Sequence, residues 1–312
     1  MRQGGGVLTG KWQGSAAGGV VAPDAIIPPI PASRFAQTQA RLRALAGDHP
    51  MRDWLVFLAE VSRSQHEAIV TVETVEAPSE TMIELAVNAQ MPPLAADGHH
   101  RASIWYDALA HILDTMQSMS LPAQARAVAT GLRSQSRETV EALADRFLRG
   151  LAPIEDAGAI LYIAAALQVY FTVLAAKIPE GRLHPLPQLG LCPACGSTPS
   201  AGLITATGKT PGTRYLYCSL CSTAWNHVRA ICITCGDSRH ITLEGIEGDA
   251  GVVKAETCGA CRTYAKMVYQ KQDAQADPYA DDLATLGLDL LVAEAGWSRH
   301  APNPLVLVGG AR

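Results

Sequence analysis

Apolar positions recur at helical spacing from Ser33 to about residue 188, after which the spacing becomes that of short strands. Ser33 is placed to cap a first helix with Phe35, Leu42 and Leu45 on adjoining turns, and Asp48-His49-Pro50 stops it. Trp54, Leu55, Leu58 and Val61 form the i, i+1, i+4, i+7 stripe of a long second helix that reaches the Val70 region. Pro92-Pro93 and Gly98 then break the chain. A helix from about Ser103 follows, with Trp105, Leu109, Ile112, Leu113 and Met116 on its buried side, and Thr139 to Leu148 predicts another through Val140, Leu143, Phe147 and Leu148.

Ala157 to Ala176 is a run of twenty residues without a charge, long enough to cross a bilayer. Gly158, Gln168, Thr172 and the many alanines make it weakly hydrophobic for that purpose. A helix apolar on all sides is more simply the centre of a bundle. Ile178-Pro179 ends it, and Pro185 and Pro187 make a stiff connector.

Beyond the connector the pattern is that of hairpins. Leu203 to Thr207 and Thr213 to Tyr217 flank the turn Gly208-Lys209-Thr210-Pro211-Gly212, and Ile241 to Ile246 and Val252 to Thr257 flank residues 247–251. Tyr264 to Gln270 reads as the start of a helix, closed by Asp277-Pro278. In the next stretch Leu283, Leu286 and Leu290 mark one apolar stripe, with Asp281 or Asp282 as N-cap, and Asn303 to Leu307 reads as an extended segment packed on the body.

The hairpin region holds all eight cysteines of the chain, as the pairs Cys192/Cys195, Cys218/Cys221, Cys232/Cys235 and Cys258/Cys261. Adding forty to each position of the first two pairs produces the last two. Two residues between thiols let both sulfurs reach one ion from a single turn, and a second such turn completes a four-sulfur tetrahedron. Gly196 and Gly236 follow the leading pairs, where a backbone aiming N–H groups at sulfur often needs positive φ. Disulfides fit poorly, because the pairs are vicinal and no secretory signal is evident upstream. A thioredoxin-like pair requires a strand-to-helix setting that none of the four has. Two modules, each organised by one metal ion, remain. A bound ion contributes roughly 10–16 kcal/mol, and a module of about 40 residues with few large apolar side chains depends on such a term. Four thiolates suit iron or zinc alike, and Cys192-Pro193-Ala194-Cys195-Gly196 looks like a rubredoxin knuckle as much as a zinc-ribbon knuckle.

The 312 residues, 48% hydrophobic and 17% charged, suffice for two or three domains with a real core. The formal charge of −4 argues against a general nucleic-acid binder. Residues 191–270 carry seven Lys/Arg against five Asp/Glu, and eight thiolates with two divalent ions bring that surplus to −2, whereas ribbons that grip phosphate backbones are basic. Gly202 to Thr210 resembles a phosphate loop but has five residues where four are needed, and sits at a hairpin tip. Asp281, Asp282 and Asp289 read as capping and solvated carboxylates, not catalytic ones, and His227 and His240 as hairpin surface residues, not ligands. Trp225, Tyr215, Tyr217 and Arg229 read as a small core joining the two modules, or as part of a protein-docking face.

The four knuckles, Arg214 to Cys221 with Trp225 and Arg229, the stretch Ala166 to Phe171 and the stretch Ala280 to Leu286 together closely resemble the family of the formate dehydrogenase accessory protein FdhE, from about Ile26 to Leu307. Ala230-Ile231 departs from the more basic stretch expected before Cys232. The resemblance implies a cytoplasmic maturation factor that is not an enzyme. It further implies binding to the catalytic subunit of respiratory formate dehydrogenase before that subunit's twin-arginine-dependent export, with rubredoxin-like iron sites. A rubredoxin-like electron carrier and a nucleic-acid-binding zinc ribbon are the rival classes. The expected fold is a mainly α N-terminal helical bundle domain, then two tandem rubredoxin-like or zinc-ribbon β-hairpin modules, then a C-terminal helix. The expected boundaries are a flexible tail over 1–32, the helical domain over 33–188, four-cysteine modules over 189–230 and 231–272, and a C-terminal helix and tail over 273–312. Each module is expected to hold one iron or zinc ion, with no nucleic acid bound and no membrane span.

Overall fold

A computed structural model describes residues 22–119, 121–301 and 303–306. Seven helices occupy the first half: α1 (Pro31–Ala46), α2 (Arg52–Val72), α3 (Glu80–Asn88), α4 (Trp105–Gln117), α5 (Ala123–Arg133), α6 (Arg137–Leu148) and α7 (Ala157–Ala176), the last preceded by a single 3₁₀ turn at 154–156. The predicted stripes of α2 and α4 face inward: Leu55, Leu58, Val61, Trp105, Leu109, Ile112, Leu113 and Met116 are buried, and Trp54 at the start of α2 is half-buried. Ser79 and Ser136 accept from Met82 N and Thr139 N and so start α3 and α6 by satisfying a backbone N–H that lacks a helical partner. Helix α1 instead starts at Pro31, whose missing N–H costs nothing at that position, and Ser33 does not cap it.

Helix α7 is buried at every position from Ile160 to Ala175 and packs against α1, α2, α4, α5 and α6. The stretch Ile154–Ala176 has the length and hydropathy of a membrane span, but its sides are occupied by protein. Its two polar side chains explain the composition. Gln168 accepts from Gln65 Nε2 (2.8 Å) and donates to Ser219 O (2.8 Å), and Thr172 Oγ1 lies 3.0 Å from Ser222 Oγ, so α7 touches the bundle on one side and the cysteine region on the other. Lys177, just past its end, donates to Glu73 O and Val75 O at 2.6 Å each, placing a cation on the carbonyls that close α2.

Among the described residues, seven strands of the second half and one from the N-terminal segment build an eight-stranded sheet, in the order β1 (Ile26–Ile27), β4 (Ala224–Asn226), β3 (Arg214–Cys218), β2 (Pro199–Ile204), β7 (Thr263–Tyr269), β6 (Val253–Cys258), β5 (Ile241–Glu244), with β8 (Ser298–Arg299) also on β7. Each ribbon thus has three antiparallel strands, and the two ribbons join by parallel pairing of β2 with β7. At that seam Gly202 lies opposite Met267, whose buried thioether, with Leu216 Cδ2, fills the space a Cβ would take.

Several expectations are corrected here. Tyr264 to Gln270 is strand, not helix: in mid-sheet it is covered on both faces, so the alternation that marks a strand is blurred. The C-terminal stripe is split into α8 (Ala280–Ala284) and α9 (Leu286–Glu294), where Leu288 and Val292 are buried and Leu290 is exposed. Asp277, not Asp281 or Asp282, caps α8, accepting from Tyr279 N and Ala280 N. Asn303 to Val306 is a turn held by Val306 N to Asn303 O, packed on the body through Leu305 and Val306, and Leu307 lies outside the described residues. The end of the expected tail is ordered, since Ile26–Ile27 pairs with Trp225 and Ala224, while residues 1–21 lie outside the described residues.

Candidate metal centres

Each knuckle is a turn closed by its own backbone. Gly196 N donates to Cys192 O (2.9 Å) and Gly236 N to Cys232 O (3.0 Å), and both glycines adopt the expected positive φ, 79° and 76°. The trailing knuckles place Ser222 (φ 61°) and Arg262 (φ 59°) in the same conformation. The turns aim N–H groups inward: Cys221 N and Leu220 N donate to Cys218 Sγ at 3.3 and 3.4 Å, and Thr234 N to Cys232 Sγ at 3.4 Å. Such bonds stabilise sulfur as thiolate.

The structure brings all eight predicted cysteines together in two fours, Cys192, Cys195, Cys218, Cys221 and Cys232, Cys235, Cys258, Cys261, with the sulfurs of each four within 4.8 Å of one another. Cys192–Cys221 and Cys195–Cys218 are 3.5 and 3.4 Å apart, and Cys232–Cys261 and Cys235–Cys258 are both 3.7 Å apart. A disulfide needs about 2.05 Å, and all eight cysteines are free. A tetrahedral ion about 2.3 Å from each sulfur sets the sulfurs about 3.8 Å apart, so each four can hold one ion. Burial pushes the Cys192 and Cys218 thiols well above their usual range, while at Cys195 burial is outweighed by hydrogen bonds from the other three thiols that hold it well below, so one thiolate is stable among thiols and ionising the whole set calls for a cation among the sulfurs. At Cys261 burial opposes ionisation, but the hydroxyl and backbone of Thr263 bring the thiol down to about 7. Thr263 Oγ1 is 3.0 Å from Cys261 Sγ, and Thr223 Oγ1, forty residues earlier, is 3.2 Å from Cys221 Sγ.

The first four lies inside the helical body. Leu94 N and Ala96 N donate to Ala194 O and Cys195 O, Gln168 to Ser219 O, Tyr279 Oη to Cys218 O, and Arg34 Nε to Ser222 Oγ. Arg34 also stacks over the Tyr279 ring, 3.4 Å from its centroid. Only part of this wrapping left a signal in the sequence. The polar Gln168 and Thr172 stood out in an uncharged helix, whereas nothing local marked Arg34 or Tyr279.

Other expected site residues move inward. His227 is buried, with Nδ1 2.6 Å from Arg214 Nη2, and burial and then the Arg214 charge lower it to about 4. His240 is on the surface as expected. Trp225 and Tyr215 are buried, so neither lines a docking face, and Trp225 Nε1 donates to Leu189 O. Exposed Arg229 is peripheral, and the buried cation joining the modules is Arg214. Asp281 and Asp282 are buried ion-pair partners, not solvated carboxylates: Asp281 takes a two-toothed contact from Arg41 (2.9 and 2.7 Å), and Asp282 meets Lys266 (2.9 Å) and Arg299. Asp289 joins the same group through Lys266 (2.6 Å) and Tyr264 Oη (2.8 Å). Burial opposes the Asp282 charge, but Arg299 and Lys266 outweigh it and hold the carboxyl below its usual range.

Comparison with known proteins covers nearly the whole chain. Residues 23–188 match the family model "FdhE, N-terminal", 191–229 "FdhE, central domain" and 230–306 "FdhE, C-terminal domain". A "Protein FdhE homolog" of Pseudomonas aeruginosa is 36% identical over 88% of this chain and 91% of its own length, and one of Haemophilus influenzae 34% identical over 88% and 89%. The crystal structure of the FdhE protein from Pseudomonas aeruginosa superposes with a TM-score of 0.81 at 34% identity, covering 92% of this chain and all of that one. A helical body leading into two four-cysteine ribbons, matched by all three domain models in order, establishes that the chain belongs to the FdhE family.

Proposed function

We propose that this protein is a cytoplasmic accessory factor, not an enzyme, that binds the catalytic subunit of respiratory formate dehydrogenase and is needed for its activity. The observation that carries this reading is the correspondence, in order, to the three FdhE domain models over residues 23–188, 191–229 and 230–306. In the same reading Cys192, Cys195, Cys218 and Cys221 hold one iron or zinc ion, and Cys232, Cys235, Cys258 and Cys261 a second. The ion supplies the positive charge that lets four neighbouring thiolates coexist, and the protein supplies N–H and hydroxyl donors to the sulfurs. The surface supports a protein client over a nucleic acid. Two of the seven cations in the ribbons, Arg214 and Lys266, are internal and already paired with carboxylates, which leaves even less positive charge outside.

The test is genetic and biochemical. In cells deleted for this protein, formate-dependent dye reduction is expected to fall to background while the catalytic subunit polypeptide still accumulates, and the tagged protein should capture that subunit from anaerobic extracts. Full formate dehydrogenase activity in the deletion strain would refute the role. Elemental analysis after anaerobic purification is expected to find two ions per chain.

A further inference from the structure

The forty-residue repeat makes the two sulfur clusters look interchangeable, yet their surroundings differ. In the first, Cys192, Cys218 and Cys221 are 0% exposed and Cys195 1%, and all four belong to the main hydrophobic core. The segment around Leu94 roofs its leading knuckle, and α7, Tyr279 just before α8 and Arg34 of α1 roof its trailing one, through the hydrogen bonds described above. In the second, Cys232 and Cys258 are buried, Cys261 is half-buried and Cys235 is exposed. The backbone around that opening is bare as well: Thr234 and Gly236 on one knuckle, and Gly259, Ala260 and Arg262 on the other, are exposed. Support comes from one side, where Thr234 Oγ1 meets Thr263 Oγ1 (2.9 Å) and His300 Nδ1 (2.7 Å).

Cys195 of the first cluster borders an open cavity with Pro92, Ala96 and Gly196 but is only 1% exposed there, so a ligand reaches those sulfurs only if the packing around the knuckles parts. It can reach the second from solvent with the fold intact. Resting on the reading that each cluster holds an ion, we propose that the second cluster is an exchange site, open at Cys235 to outside thiolates, and that the first is a closed structural site. In the exchange an incoming dithiol thiolate bonds to the ion as the bond to Cys235 Sγ breaks. Cys235 leaves as a thiolate and takes a proton from solvent. The ion keeps its oxidation state, so no electron donor or acceptor enters the step. Thiolates suit the site because the ion is already held by soft sulfur ligands, for which sulfur is an even replacement.

The experiment uses the full-length, zinc-loaded protein challenged with dithiothreitol in the presence of a coloured zinc indicator. Two phases of one ion each are expected, the fast one about 100-fold or more quicker than the slow, as separates a local opening from one that disrupts the core. Iodoacetamide added after the fast phase should label Cys232, Cys235, Cys258 and Cys261 and spare Cys192, Cys195, Cys218 and Cys221, read by peptide mass spectrometry. Both ions leaving in one phase, or early label on the first cluster, overturns the exchange proposal while leaving the metal reading in place. A chain that takes up fewer than two ions overturns both. Cys235→Ser is expected to keep the helical circular dichroism of the parent, and Cys195→Ser to lose part of it; loss of the helical signal in Cys235→Ser overturns the division between the sites.

Discussion

Arg214 on β3 of the first ribbon and Glu256 on β6 of the second form an ion pair at 2.6 Å, with the guanidinium wholly buried. The same guanidinium donates to the backbone O of Ile231 (2.7 Å), His227 (3.3 Å) and Val228, which lie on the connector between the ribbons. One side chain thus fixes how the two metal modules sit against each other. Removing one partner strands the other charge in the interior, so Arg214→Met is expected to cost about 3–5 kcal/mol. The double variant Arg214→Met/Glu256→Met should recover part of that loss, as measured by a double-mutant cycle in urea.

His227 lies against that arginine and is held neutral in the fold, its pKa lowered from 6.5 to about 4. Its Nδ1 lies beside Arg214 Nη2 and 3.0 Å from Val228 O, and its buried Nε2 has no partner, so protonation places a second cation against Arg214 with only Val228 O to receive its hydrogens. Between those two pH values the unfolded chain binds the proton and the folded chain does not. The histidine's contribution is therefore complete above about pH 6.5 and is lost as pH falls toward about 4, at no more than about 1.4 kcal/mol per pH unit. His227→Gln should flatten the decline of unfolding free energy over this window relative to the parent; an unchanged slope would contradict the assignment.

The seam between the ribbons depends on an absent side chain. Gly202→Ala drives a methyl into Met267 Sδ, and overpacking of this kind costs about 1–3 kcal/mol. Met267→Ala in the same chain opens the space, so the double variant should melt closer to Met267→Ala alone than additivity allows.

Asp282 compensates two cations, Lys266 and Arg299, and accepts from Asn303 Nδ2 at 2.8 Å. Asp282→Asn leaves Asp289 to face both cations, and breaking a buried network in this way is expected to cost about 3–5 kcal/mol. Limited proteolysis should then cut first among the C-terminal helices, beyond residue 273.

Helices whose apolar faces point to a single core were legible because the stripe alone defines them. Every residue named for the buried side of α4 is buried, whereas α7, apolar on all sides, was legible as the uncharged run 157–176. Helices α3 and α5 show no such stripe. α3 keeps only Ile83 buried and α5 only Ala129 and Leu132, too little apolar surface for a stripe, although Ser79 as cap was a usable sign of the former. Strand β7 lacks a strand's alternation because it lies between β6 and β2 with side chains covered on both faces, and its parallel pairing with β2, more than sixty residues earlier, leaves no local mark.

The cysteine spacing by itself determined which sulfurs meet, because two residues between thiols and a hairpin between pairs allow little else. The positive φ of Gly196 and Gly236 follows from the same turn geometry. Tertiary structure alone decided that the two clusters differ, that Asp281 and Asp282 are internal, and that Arg214 and not Arg229 joins the ribbons. Burial is a property of what packs on a residue. Packing partners such as α7 on the first knuckle come from parts of the chain that no spacing rule connects.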